Sequence, residues 1–133
     1  MFVDTSALYA LLDEADAHHA EASDALRRLV GTELVTHAFV VVEACALVGR
    51  RLPWPASEGL IGGLLPVIDV RSVDDRLYRR HFYRAATEAY RRSASARVSL
   101  VDHASFALMR SLGIGRAFAY DDDFAREGFE LVA

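Results

Sequence analysis

The sequence predicts an α/β fold with a parallel central sheet. Three observations predict it. Short apolar runs alternate with helical patterns along the chain, the order expected of strands joined by crossover helices. The 133 residues suit one domain and can bury a core without staples. Apolar residues make up 53% of the chain, too many for a disordered one.

The elements follow in order. Met1 to Asp4 reads as a short buried strand, and a helix follows over about 6–13. The next helix starts near Asp16, carries Ala22, Leu26 and Leu29 on one face, and stops at Gly31. Residues 33–36 are the second strand. Residues 38–49 form a helix that is apolar almost all round, the pattern of a buried helix. Pro53, Trp54 and Pro55 break the chain before a short helix over about 56–64, and 67–70 is the third strand. Ser72 and Asp75 make a capping-box pattern that opens a long helix to about Arg91. Residues 93–97 are polar and loop-like. Val101, Ala104, Leu108 and Leu112 space as a helix ending at Gly113. Residues 117–120 and 129–132 complete a sheet of about five strands.

Composition excludes several classes. No apolar run approaches the ~20 residues that span a bilayer. The chain enters Phe2, Val3 and Asp4 without a basic or long apolar stretch, so a cytoplasmic protein is expected. The single cysteine, Cys45, cannot form an internal disulfide, which agrees with a reducing compartment. The net charge of -4 is unfavourable for a phosphate binder, but its distribution is uneven. Arg71, Arg76, Arg79, Arg80, Arg84, Arg91, Arg92 and Arg97 crowd one stretch. Arg76, Arg80 and Arg84 recur every fourth residue and share a helix face, which suits either RNA phosphates or an acidic partner, or simply solvent. All the Lys/Arg cations are Arg, so mechanisms that need a catalytic lysine are excluded.

Four carboxylates fall where a sheet-based site would use them. Asp4 follows the first strand and Asp121 the fourth, and open parallel sheets place sites beyond the carboxyl ends of their strands. Glu43 and Asp102 lie early on helices that can reach the same edge. Each also has a structural reading. Asp4 can cap the following helix. Asp102 stands three residues after Ser99, a capping-box spacing. Asp121, Asp122 and Asp123 can be a solvated turn with a cap. Glu43 is the only charge in the apolar run 39–48, and a buried carboxylate there needs an Arg or a metal to stay ionised. Mg²⁺ takes oxygen ligands and uses few carboxylates plus water. Such ions can activate water and stabilise the leaving oxygen in phosphodiester cleavage. A zinc site is not expected, because His18 and His19 are adjacent and His37, His81 and His103 are scattered. The run 59–63 lacks the lysine of a phosphate-binding P-loop. The D-x-D of a phosphatase is absent, since Thr5 and Ser6 follow Asp4, and a receiver domain would need a lysine.

Four motifs in order carry a family resemblance. Val3-Asp4-Thr5-Ser6-Ala7-Leu8 resembles the opening of PIN domains, particularly the VapC-like toxins of toxin–antitoxin modules. Val42-Glu43-Ala44 resembles their second acidic motif, and Ser99 to Ala104 (SLVDHA) the third. Ala119 to Phe124 (AYDDDF), followed by Gly128 to Leu131, resembles the fourth motif and last strand. The resemblance spans essentially all of 1–133, as a single PIN-like domain. It implies a three-layer α/β/α fold with about five parallel strands and a site for Mg²⁺ or Mn²⁺. It implies endonuclease action on RNA, often tRNA or ribosomal RNA, a cognate antitoxin that blocks the site, and a homodimer. Asp4, Glu43, Asp102 and Asp121 carry over as the acidic, metal-holding residues. Thr5, Ser6 and Ser99 match the polar positions beside them. Asp121 is preferred because Phe124 then falls three residues later, with Asp123 the alternative fourth acid. One departure is Ala119, where the family commonly has Thr or Ser, so a hydroxyl must be missing or supplied elsewhere. A PIN fold that has lost catalysis and only binds RNA or protein is the competing function, and the presence of all four acids argues against it.

Overall fold

Five short parallel strands form the centre of the molecule. They are β1 (Phe2–Val3), β2 (Val35–His37), β3 (Asp69–Arg71), β4 (Arg116–Phe118) and β5 (Glu130–Leu131). Their order across the sheet is β3-β2-β1-β4-β5, with every pairing parallel. The computed structural model describes residues 1–72 and 83–132. Helices α1 (Thr5–Leu12), α2 (His19–Arg28), α3 (Ala38–Arg51) and α4 (Trp54–Glu58) occupy the first half with a π-helical stretch, Gly59–Leu64. In the second half lie α5 (Arg84–Ser93), α6 (Leu100–Leu112) and α7 (Asp122–Arg126). The chain runs from β1 to one side of the sheet and returns through β4 on the other. Strand order therefore reverses between β1 and β4, the topological switch point at which open α/β sheets place their sites.

Local chemistry explains where the elements differ from the sequence expectation. The second helix begins at His19, later than Asp16, because Asp13 and Asp16 accept hydrogen bonds from the backbone N–H of Ala15 and His18 and hold turns there. It ends before Gly31, whose φ of +84° suits a residue without Cβ. Helix α4 starts at Trp54, ahead of the expected 56, because Pro55 sits in its first turn, where a missing N–H costs nothing. Helix α3 is not buried all round: Val40, Ala44 and Val48 face the core, while Val42 is 67% exposed. Its apolar outer face therefore meets no other part of the described chain at Val42. The long helix expected from Ser72 is described only as Arg84–Ser93, and the Asp75 half of its capping box lies outside the described residues.

The core is centred on the switch point. Phe2, Phe106, Phe118, Phe124, Leu8, Leu108 and Met109 are fully buried. Phe106 meets Phe124 edge to face at 5.0 Å, so α6 and α7 pack through aromatics beneath β1 and β4. A buried polar strut crosses the same region. His37 caps α3 by accepting a hydrogen bond from the Val40 N–H, and its Nε2 lies 2.9 Å from the Ser105 hydroxyl on α6. That hydroxyl donates to the Val101 carbonyl, so the imidazole donates to the hydroxyl from Nε2. Burial holds the His37 imidazole down at about 4, neutral at physiological pH. The strut ties the start of α3 to α6, the two helices that carry Glu43 and Asp102.

Candidate active site

The sheet register decides what meets at the switch point. Phe2 pairs with Ala117 and Val3 with Phe118, so Asp4 and Asp121 both leave the carboxyl ends of neighbouring strands. Asp4 is buried and caps α1: its Oδ2 accepts from the Ser6 N–H at 2.9 Å and from the Ser6 hydroxyl at 2.6 Å. The Ser6 hydroxyl in turn accepts from the Tyr120 N–H at 3.0 Å. One side chain thus joins α1 to the end of β4, and a hydroxyl reaches the position beside Ala119 from a different element. Capping uses only one oxygen. Asp4 Oδ1 is buried with no hydrogen-bond partner among the described residues, an open acceptor of the kind a cation can fill.

The other acids are each held by a partner of their own. On α3, Glu43 is half-buried and accepts from the Thr5 hydroxyl at 2.7 Å, which sets it beside the start of α1. Asp102 completes a reciprocal capping box with Ser99, accepting from both the hydroxyl at 2.8 Å and the backbone N–H at 3.0 Å. Asp121 caps α7 by accepting from the Asp123 N–H. Asp123 is also buried, but it faces two cations, Arg97 at 2.9 Å and Arg126 at 2.7 Å. Among the described residues no three His, Cys, Asp or Glu side chains converge closely enough to enclose an ion. Capping and metal ligation are therefore not exclusive readings here, since each cap leaves carboxylate oxygen to spare.

The electrostatics separate these acids. Burial pushes the Asp4 carboxyl up to about 6, against the hydrogen bonds from Ser6, and the Asp102 charge adds to the rise. Burial also raises Asp102, against the Ser99 hydrogen bonds, with Asp121 and Asp123 adding to it. Asp123 runs the other way: burial pushes it up, but the hydrogen bonds from Arg126 and Arg97 outweigh that and hold it below the usual carboxylate range. Asp102 acts on Asp4, and Asp121 and Asp123 act on Asp102, so the acids form one linked edge in which Asp123 alone is ion-paired to two arginines.

A model of the PIN domain matches residues 1–130 of this chain. The chain belongs to the PIN-domain family. Its PIN domain is similar to the 23S rRNA-specific endonuclease VapC20 of Mycobacterium tuberculosis, in two strains, with 34% identity over 99% of this chain and 97% of the relative. The crystal structure of that VapC20, described as a sarcin–ricin loop cleaving toxin, superposes with a TM-score of 0.76 at 33% identity, covering 96% and 95% of the two chains. The PIN fold expected from the four motifs, with its central parallel sheet flanked by helices, is thus present.

Several features of this PIN domain escape sequence reasoning. Nothing local reveals that Ser6 bridges Asp4 and Tyr120, because the partners lie 114 residues apart. His18, exposed on the surface, stacks on Tyr120 at 4.3 Å, a contact between residues over a hundred positions apart. Arg97 and Arg126 were not singled out for the site, although the spacing of Asp123 and Arg126, i to i+3, could have suggested their pair. Of the expected RNA-binding face, Arg76 and Arg80 lie outside the described residues, and Arg84 pairs with Glu88 on its own helix.

Ser99 offers a direct check on the geometry. Ser99→Ala removes the cap and two of the hydrogen bonds at the Asp102 pair, and should lower stability by about 1 kcal/mol in urea unfolding. Ser99→Thr should restore most of it. Equal stability of Ser99→Ala and wild type would show that the capping box does not form.

Proposed function

We propose that this PIN domain is a Mg²⁺- or Mn²⁺-dependent endoribonuclease of the VapC-like toxin type, acting on structured RNA in the cytoplasm. The observation that carries the reading is the buried, half-used carboxylate of Asp4 at the switch point, with the charge of Asp102 bearing on it, that of Asp121 bearing on Asp102, and Glu43 linked through Thr5. The donors are all hard carboxylate oxygens, and Asp4 Oδ1, without a partner among the described residues, is an acceptor that a cation would satisfy. Mg²⁺ is usually held by one or two carboxylates, with water and substrate phosphate completing its shell, so a closed cage of three acids is not required. Asp4, Asp102, Asp121 and Glu43 would hold the ion between them, one or two directly and the others through water, and the ion would supply an activated water and charge stabilisation for phosphodiester hydrolysis.

The chain's own residues supply orientation. Ser6 fixes one oxygen of Asp4 and leaves the other free to bind. Thr5 turns Glu43 towards the same helix end, and Ser99 holds Asp102. A hydrolytic mechanism leaves a 5′-phosphate and a 3′-hydroxyl. Ribosomal RNA is the first substrate to test, on the 34% identity to a 23S rRNA-specific relative. Purified ribosomes incubated with the protein and Mg²⁺ should be cut, and EDTA should stop the reaction. End mapping should find 5′-phosphates. A 2′,3′-cyclic phosphate would instead mean attack by the RNA's own 2′-hydroxyl and would overturn the hydrolytic mechanism. A cognate antitoxin and a homodimer belong to the same reading. Val42 and Trp54, each 67% exposed, are apolar surface of the sort such assemblies cover.

A further inference from the structure

We propose that Arg97 and Arg126, held in place by the buried carboxylate of Asp123, form a clamp for RNA phosphates beside Asp102 and Asp121. The inference rests on the ribonuclease reading and deepens it. Asp123 Oδ1 accepts from Nη1 of both arginines, at 2.9 Å and 2.7 Å. The two come from different elements, Arg97 from the loop before α6 and Arg126 from the last residue of α7. The carboxylate side chain is 8% exposed, whereas the arginine side chains are 63% and 60% exposed. Asp123 therefore grips one nitrogen of each fork and leaves more than half of each arginine side chain facing solvent.

Charge and location point to phosphate. Two cations share one carboxylate, so the cluster keeps a surplus positive charge on a rim that is otherwise acidic. The cluster borders the proposed site, since the charge of Asp123 bears on Asp102, and those of Asp121 and Asp122 bear on Arg126. A polyanion approaching acidic residues is repelled unless cations stand beside them. Guanidinium forks match phosphate oxygens in a bidentate manner. Arginines held in advance also lose less conformational freedom on binding. Asp123 is then a positioning residue, not a ligand of the ion.

The test is fluorescence anisotropy with a fluorescein-labelled RNA oligonucleotide in EDTA across a KCl series, with melting curves to confirm folding. Arg97→Ala/Arg126→Ala should weaken binding at least tenfold. It should also flatten the dependence of log affinity on log salt by about 1.4, the counterion release of two contacts to single-stranded RNA. If that variant unfolds because Asp123 is left unpaired, Arg97→Lys/Arg126→Lys keeps the charges but removes the forks, and should keep the slope while losing affinity. Asp123→Asn separates clamp from mere charge. Removing a negative charge should tighten binding by simple counting, whereas loss of the clamp weakens it. Arg116→Ala, at the opposite, amino-terminal end of β4, is the control. An unchanged salt slope in the double alanine variant, or tighter binding by Asp123→Asn, overturns the clamp. If the wild type cuts RNA and Asp4→Asn does not, such a result condemns the clamp alone. If the wild type neither binds nor cuts RNA, the ribonuclease reading falls and takes the clamp with it.

Discussion

Asp4→Asn should abolish RNA cleavage and yet melt at the same temperature as the wild type, or higher, in EDTA. Two consequences of one buried carboxylate produce this combination. The folded state raises the Asp4 carboxyl from 3.8 to about 6. At neutral pH its ionised form is therefore disfavoured in the fold by roughly 3 kcal/mol. An amide removes that penalty. Asparagine caps helices about as well as aspartate, so the bonds from Ser6 can survive through its carbonyl oxygen. Part of the gain is offset, because the amide NH₂ enters the position of Oδ1, where no partner waits. The net change in stability should lie between zero and about 3 kcal/mol in favour of the variant. Cleavage should fall by more than ~100-fold, since even outer partners of metal sites cost up to that much. The stabilisation gained on adding Mg²⁺ should shrink, because the ion binds only the folded arrangement and loses a ligand. A purely capping Asp4 predicts otherwise: activity and the Mg²⁺ response both persist. Melting curves with EDTA and with Mg²⁺, beside a cleavage assay, separate the two. A variant that melts like the wild type in both buffers and still cuts RNA would sink the assignment. Asp102→Asn should behave in the same way, with a smaller gain in EDTA because Asp102 is less buried.

The second large effect is a hidden compensation in the dependence of stability on pH. Asp4 and His37 are shifted in opposite directions over nearly the same range. Asp4 has a folded value of about 6 against 3.8 unfolded, so its folded form holds the proton longer. Its contribution is fully present below 3.8 and is lost as pH rises through about 6. His37 has a folded value of about 4 against 6.5, because burial keeps it neutral. Its contribution is fully present above 6.5 and is lost as pH falls through about 4. Each corresponds to about 3 kcal/mol, so in the wild type the two nearly cancel. Asp4→Asn removes one arm. Its stability in EDTA should drop by about 3 kcal/mol relative to wild type between pH 6.5 and 4. His37→Asn should tilt the other way, more stable as the solution is acidified, whatever its absolute loss from the broken strut. Asp102 acts in the same sense as Asp4. Asp123, held below the usual range, loses its contribution only at lower pH. Urea titrations at several pH values read the slopes directly, and parallel curves for the wild type and Asp4→Asn would refute the pairing. In the presence of Mg²⁺ the ion competes with the proton on Asp4, so cleavage should fall as pH drops below about 6.

The sequence by itself determined the architecture and the family to which its motifs belong. Alternation of short apolar runs with helical patterns is a property of neighbours along the chain, and the five strands and most helices were legible from it. Caps are equally local, which is why Ser99 with Asp102, and Gly113 with its φ of +66°, read correctly. The order of the four acidic motifs also lives in the chain. What tertiary structure decided is everything that depends on distant pairing. Strand order β3-β2-β1-β4-β5, not strand existence, carries Asp4 and Asp121 to neighbouring strand ends. The Asp4 N–H bonds to the Phe118 carbonyl and the Tyr120 N–H to the Ser6 hydroxyl, each across more than a hundred residues of chain. Helix α3 looked buried all round because an apolar pattern states preference, not whether another surface is there to meet it, as exposed Val42 demonstrates. The three consecutive aspartates show the division most clearly. In the chain they are equivalent carboxylates. In the fold Asp123 is buried and takes both Arg97 and Arg126, while Asp121 caps α7, and that difference in partners is set by tertiary packing.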